Sequence, residues 1–402
     1  MSEERDGDDD RYGGASGAGD GGTRRRAFLA TAATAAAGLA GCAGQNGETT
    51  PGSTDDDTTD AGDGGGEGEG TTVGTTATDR TLRVATYSAF VEAESSSPGE
   101  WVREAFESTF DATLEWFVPD NGLNYFIQRR GAGVTIDTDV YVGLNVDDLV
   151  RIDERLDDRR LLRGLDRTAM SNVDRVKSAL EIDPGGRALP YDTGYISLVY
   201  DGRTVDDPGT FDALTRPAYE GSLLAENAQT SDPGRAFMLW TVDRFGPDGY
   251  LDYWRSLVEN DVRVLGSWND AYGAWQEGER PVVVSYSTDR VFANRFDQDL
   301  EKHQVGFLED QGYANPEGMA VMEATDTPEL AREFVDWMLS TPVQEEVAVR
   351  NVQFPATTDA EPGGEFGQYA LEPPEPVTFG YEELAGNVDT WVDDWAREIA
   401  GN

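Results

Sequence analysis

From residue 80 to the end of the chain, short apolar runs alternate with longer amphipathic segments, and that alternation restricts the sequence to an α/β fold. The spacing predicts a first strand over 82–87, a helix over 101–110 with Trp101, Val102, Ala105 and Phe106 on one face, and a second strand over 113–117. Residues 139–144 and 196–200 are apolar almost throughout, as strands covered on both faces are. Asp232-Pro233-Gly234 predicts a helix start with Asp232 as N-cap, the helix running to about residue 244. A strand over 262–266 precedes Ser267 and Asp270, which have capping-box spacing. Another strand is predicted over 281–286 and an amphipathic helix over 328–339. A body of this length exceeds the roughly 250–300 residues over which a single core grows, so two lobes are expected.

The first part of the chain has a different character. Residues 43–79 are mostly Gly, Ser, Thr, Asp and Glu, as in Gly64-Gly65-Gly66-Glu67-Gly68-Glu69-Gly70, and such a tract cannot bury enough apolar surface to fold. Ahead of it Arg25-Arg26 opens an apolar run that ends at Leu39-Ala40-Gly41-Cys42. A basic pair, an apolar stretch and small residues make an export signal of the twin-arginine kind, assigned to residues 1–42. The stretch is well short of the roughly 20 residues that cross a bilayer as a helix, so cleavage is expected rather than a permanent span. Leu39-Ala40-Gly41-Cys42 resembles a lipobox, in which Cys42 takes up lipid and tethers the mature protein to the outer face of the membrane.

The formal net charge is −45, from 32 basic and 77 acidic residues, and Lys177 and Lys302 are the only lysines. Such a surface repels nucleic acid and anionic lipid heads. It also repels itself unless salt screens it, and at molar salt the Debye length is about 3 Å, which points to a salt-loving source. No cysteine follows Cys42, so the folded body has no disulfides and depends on packing.

A set of local strings, in order, carries a resemblance: Thr86-Tyr87-Ser88-Ala89-Phe90, Val142-Gly143-Leu144-Asn145, Pro190-Tyr191-Asp192-Thr193-Gly194-Tyr195, Thr230-Ser231-Asp232-Pro233-Gly234, Gly266-Ser267-Trp268-Asn269-Asp270-Ala271-Tyr272, Ser285-Tyr286-Ser287-Thr288 and Asn351-Val352-Gln353-Phe354-Pro355. Together they resemble the extracellular solute-binding proteins of ABC importers, and more narrowly the thiamine-binding group. The resemblance implies a two-lobed, type II periplasmic-binding-protein fold with the ligand cleft between the lobes. One lobe is expected from 80–192 with 316–402 and the other from 193–315, with crossings near 191–196 and 315–319. Expected partners are thiamine or thiamine phosphate, a permease with its ATPase, and the membrane through lipid; the protein is expected to be a monomer without a cofactor.

The resemblance assigns aromatic faces of the ligand pocket to Tyr87, Trp268 and Tyr286, with Phe292 supplying a face without a hydroxyl. Rings suit thiamine because its thiazolium carries a fixed positive charge, and each desolvated ring attracts a cation by about 0.5–2 kcal/mol. Ser88 and Asn145 belong to the strings and are assigned to the pocket with them. Asp192 either balances the ligand's charge or orients a crossing between lobes. Thr230, Ser231 and Gly234 either hold a phosphate at a helix start or simply cap that helix. Two family tryptophans have no counterpart, one near Glu94 and one where Val352 stands, and Phe354 or Tyr313 is a candidate replacement. The other eight tryptophans read as structural.

An enzyme is not expected. His303, the sole histidine, lies in the polar stretch Leu300-Glu301-Lys302-His303-Gln304 and reads as exposed, leaving a nucleophilic triad without a base. No Cys/His cluster suits zinc, and there is no P-loop or dinucleotide fingerprint. The remaining alternatives are a binder of the same fold for ferric ion, polyamine or another organic cation, or a secreted hydrolase. Ser285 and Ser287 on either side of Tyr286 argue against paired tyrosines for iron.

Overall fold

The computed structural model describes residues 80–93, 97–156 and 159–399. The export signal with Cys42, the tract 43–79 and the position of Glu94 lie outside the described residues. A mixed sheet organises the rest. On one flank β1 (Thr81–Ala85) runs parallel to β2 (Thr113–Phe117) and to β3 (Val140–Leu144). Two long strands follow in the sheet, β4 (Ala188–Tyr200) and β9 (Gln311–Val321), paired antiparallel over most of their length. On the other flank β5 (Leu223–Glu226) runs parallel to β6 (Arg263–Leu265) and β7 (Val282–Tyr286). The order is β2-β1-β3-β9-β4-β7-β5-β6, so both parallel flanks are joined through β4 and β9. Strands β8 (Gln304–Gly306) and β10 (Phe354–Pro355) add to β4, and β11 (Glu375–Val377) adds to β9.

Helices cover the sheet as the apolar pattern requires. The first flank carries α1 (Ser88–Glu92), α2 (Gly99–Thr109), α3 (Leu123–Gly131) and α4 (Val146–Leu156). With the second go α5 (Asp232–Phe245), α6 (Tyr250–Glu259), α7 (Trp268–Gln276) and α8 (Asp289–Arg295). The chain then returns to the first flank, where α9 (Pro328–Met338) and α10 (Thr341–Asn351) pack Phe334 and Val347 among Leu82, Val84, Phe106 and Val140. The helix Val388–Glu398 instead closes the chain against α6, with Trp395 edge-on to Trp254 at 5.2 Å.

The expected strands and helices are present, with differences at their ends. Residues 196–200 are only the second part of β4, because the polar string Tyr191-Asp192-Thr193-Gly194 stays in the strand and is buried with it. The N-cap of α5 is Ser231, not Asp232: Ser231 keeps an extended backbone and its hydroxyl accepts from Gly234 N–H at 3.4 Å, which leaves Asp232 and Pro233 inside the first turn. Ser267 caps α7 as expected, accepting from the N–H of Asp270 at 3.2 Å. Asp270 does not reach back to complete a box; its carboxylate accepts from the Ser267 hydroxyl at 2.7 Å.

Trp254 is the centre of the second flank's packing. It is fully buried, meets Phe237 edge-on at 5.5 Å, and donates its indole N–H to Thr241 Oγ1 at 2.9 Å. Trp254→Ala is expected to cost about 3–5 kcal/mol, measured by denaturant unfolding at constant high salt. A loss below about 1 kcal/mol would show that the site collapses without penalty.

Candidate ligand-binding site

The carboxyl ends of parallel strands from both flanks face one cavity of about 530 Å³. Tyr87 follows β1, Gly143 lies in β3, Gln229 and Thr230 follow β5, Trp268 opens α7 after β6, and Tyr286 ends β7. Loops leaving that end of an α/β sheet are where ligands sit. The wall is completed by Tyr141, Tyr272, Phe292 and Glu317, and by Asn351 to Gln353 at the end of α10.

Two glycines explain how the tyrosines fit. At Gly143, which has φ +96° at an irregularity in the β3–β9 register, an added Cβ would lie 2.5 Å from Tyr87 Cδ1. Gly194 in β4 plays the same part opposite Tyr286, where a Cβ would meet Cε1 at 2.6 Å and Gln353 Oε1 at 2.7 Å. Each ring therefore lies against bare backbone. Trp268 is fixed differently: it stacks on Tyr272 with centroids 4.7 Å apart at 19°, and its indole N–H donates to Ser285 Oγ at 3.0 Å.

Beside these rings lie two carboxyl groups without a protein cation. Glu317 accepts from the Tyr191 hydroxyl at 2.5 Å, and the Tyr191 and Tyr87 oxygens are 3.3 Å apart. Asn351 Nδ2 donates to Asp192 Oδ2 at 2.7 Å and to Tyr87 Oη at 3.2 Å. Asp192 is buried, and its Oδ1 has no hydrogen-bond partner. Among the described residues neither carboxyl is ion-paired with arginine or lysine. Desolvation pushes the pKa of both well above the usual carboxyl range, and for Asp192 the charge of Glu317 adds to the effect.

A different arrangement occupies the other end. Asp147 in α4 accepts from Arg151 at 3.0 Å and from Arg235 in α5 at 2.7 Å, joining helices from the two flanks. Asp148 takes the other arm of Arg151 at 2.9 Å, and Asp232 lies 3.4 Å from Arg235.

The structure brings Tyr87, Thr230, Trp268, Tyr286 and Phe292 together on the cavity wall. Other expected site residues do not line it. Ser88 is exposed, because α1 begins there and turns its side chain away from the cavity lined by Tyr87 and Ala89. Asn145 is buried behind the wall, donating from Nδ2 to the Pro316 carbonyl at 3.1 Å, so it ties β3 to β9. Asp192 stands behind Asn351, while Ser231 and Gly234 are buried in the cap of α5. Neither proposed replacement for the missing tryptophans reaches the cavity: Phe354 packs on Tyr195 and Phe366, and Tyr313 is buried beside Phe379 N–H. Tyr141 and Tyr272 supply the additional faces; Tyr272 sits in a string the sequence singled out, but Tyr141 reads as an ordinary strand residue.

His303 is corrected as well. It is 2% exposed, with Nδ1 2.7 Å from Asp289 Oδ2, and the other Asp289 oxygen accepts from the Tyr272 hydroxyl. The polar sequence around it hides this because Trp275 covers the imidazole edge-on at 4.8 Å, a contact made only in the fold. His303 thus holds Asp289, which holds Tyr272, which backs Trp268. Among the described residues no group of three or more His, Cys, Asp or Glu is placed to hold a metal ion, and no helix is long and apolar enough to cross a membrane.

Two lobes around a cleft lined from both sides define a solute-binding protein of the type II class. Residues 139–368 match the model of the bacterial extracellular solute-binding protein family, and the chain belongs to that family. Among individual relatives, the thiamine-binding periplasmic protein of Escherichia coli K12 is 25% identical over 324 residues, covering 79% of this chain and 93% of the relative. The protein of the same description from Brucella suis is 23% identical over 316 residues, covering 78% and 91%. Among solved structures, a periplasmic thiamin binding protein superimposes with a TM-score of 0.67 at 24% identity, over 80% of this chain and 96% of that one. The apo ferric ion-binding protein A of Pasteurella haemolytica gives 0.64 at 14% identity, over 80% and 98%. The structural likenesses establish the fold.

The two carboxyls make a pH prediction with a definite sign. Their folded-state pKa values lie above the unfolded ones, so the native state holds protons that the unfolded chain releases; for Glu317, pushed up to about 7, stability falls as pH rises from about 4 through that value. The melting temperature of the ligand-free protein is expected to drop across that range, and Glu317→Gln to drop less. Parallel curves for the two proteins would place this titration elsewhere.

Proposed function

We propose that the protein captures thiamine or a thiamine phosphate outside the cell and delivers it unchanged to a membrane permease driven by an ATPase. The observation that carries this reading is the pair Glu317 and Asp192, carboxyls without a protein cation beside a ring-lined cavity. Such a pair is costly until a cation arrives to offset it. An organic cation with a flat ring meets both requirements, because rings attract it by about 0.5–2 kcal/mol each and the carboxyls supply counter-charge. The relatives described as thiamine-binding support thiamine as that cation.

In this reading Tyr87, Tyr286, Trp268 and Phe292 are the faces that hold the ligand, and Gly143 and Gly194 set the depth at which two of them lie. The lobes are 80–192 with 316–402, and 193–315, with the terminal helix Val388–Glu398 reaching across to α6. Closure is a hinge motion within β4 and β9, near 191–196 and 315–319, and a ligand touching both lobes favours the shut state. Asp147 and Arg235 add a contact that exists only when α4 and α5 are close. The product is a closed shape that a permease recognises, with no bond made or broken. Lipid on Cys42 and the stalk 43–79 tether a monomer to the outer membrane face, and high external salt screens the charge of −45.

Titration with thiamine in concentrated salt is expected to quench tryptophan fluorescence and raise the melting temperature by mass action. Trp268→Ala should weaken thiamine at least tenfold, about 1.4 kcal/mol. Acidification from about pH 8 to about pH 5 should weaken it too, since Glu317, whose pKa burial pushes up to about 7, then takes up a proton and loses its counter-charge. No response to thiamine or to either of its phosphates would falsify this reading and leave the fold untouched.

A further inference from the structure

The sequence left open whether the start of α5 holds an anion, and the structure shows two of its donors already in use. The Thr230 hydroxyl donates to the Gly266 carbonyl at 2.7 Å, and the Gly234 N–H donates to Ser231 Oγ. Pro233 has no N–H to give, and Asp232 adds a negative charge to the first turn.

The only cationic side chains on the wall formed by described residues are Arg151 and Arg235, and neither is free. Arg151 spans Asp147 and Asp148, and Arg235 spans Asp147 and Asp232, so two guanidinium groups meet three carboxylates. Both arginine side chains are 14% exposed, which leaves little surface for a further partner. A phosphate ester, carrying about −1.5 to −2 at neutral pH, would have to displace a carboxylate from one of them. Turned the other way, it would meet Glu317, with Asp192 behind Asn351.

We propose that the cleft selects the unphosphorylated cation, with Asp147, Asp148 and Asp232 occupying the two arginines that would otherwise bind a phosphate ester. The inference rests on the thiamine reading and narrows it. Asp148 and Asp232 are the specificity-determining residues that a variant can reach, since both line the cavity and neither is fully buried.

Calorimetric titration of the protein with thiamine, thiamine monophosphate and thiamine diphosphate, at one pH and one ionic strength, tests it. Thiamine is expected to bind at least about tenfold more tightly than either phosphate. Asp148→Asn and Asp232→Asn, both isosteric, should each narrow that gap by about threefold or more while thiamine affinity stays the same or weakens. Thiamine and its phosphates binding equally would overturn the selectivity and leave the thiamine reading standing. A gap unchanged in both variants would overturn the role given to these carboxylates. Failure of all three ligands to bind would remove the thiamine reading and this inference with it.

Discussion

The antiparallel pairing of β4 with β9 is the constraint on which the rest of this structure depends. Parallel strands need crossover connections, and each flank is a parallel set with its own helices; among the described strands, only the two long ones run from one set to the other. Their shared register breaks between Pro190 and Asp192, at Tyr191, and a bulge of that kind bends a strand and re-aims a side chain. Tyr191 uses the opening to hold Glu317 on the partner strand. The same pair therefore joins the lobes and places the carboxyl chemistry at the cleft.

Aromatic placement follows from close backbone approach. A ring laid on a glycine keeps both its depth and its tilt, because any Cβ at Gly143 or Gly194 would occupy the ring's own space. Trp268 is held by stacking and by one hydrogen bond, with Tyr272, Asp289 and His303 behind it in succession. Three rings from two lobes thus reach one cavity by different supports, each supplied by the protein's own residues. Preorganisation of this kind lowers the ordering cost of binding.

Electrostatics divides the cavity into two regions. At one, carboxyls lie without cations; at the other, arginines are neutralised by carboxylates. A chain with a large acidic excess has few cations, and at the cleft Arg235 joins α5 to α4 while Arg151 is held within α4. The result favours a positively charged guest at both ends.

The α/β class, most strands and helices, and the ring positions Tyr87, Trp268, Tyr286 and Phe292 were legible in the sequence, because apolar period and short motif strings are local properties. For Ser231 and Gly234 the fold chose the cap between the two roles left open. The sequence did not show that Ser88 and Asn145 lie off the cavity wall or that His303 is buried, because their neighbours in the chain do not reveal what covers them. It also gave no sign that Tyr141, Asp148, Arg151, Arg235 and Glu317 meet around one space. By itself, then, the sequence determined the elements, their order and the faces they bury. Tertiary structure alone decided which charges are paired and which are left for a ligand, since pairing is set by distances between residues far apart in the chain, such as Asp147 with Arg235 and Tyr191 with Glu317.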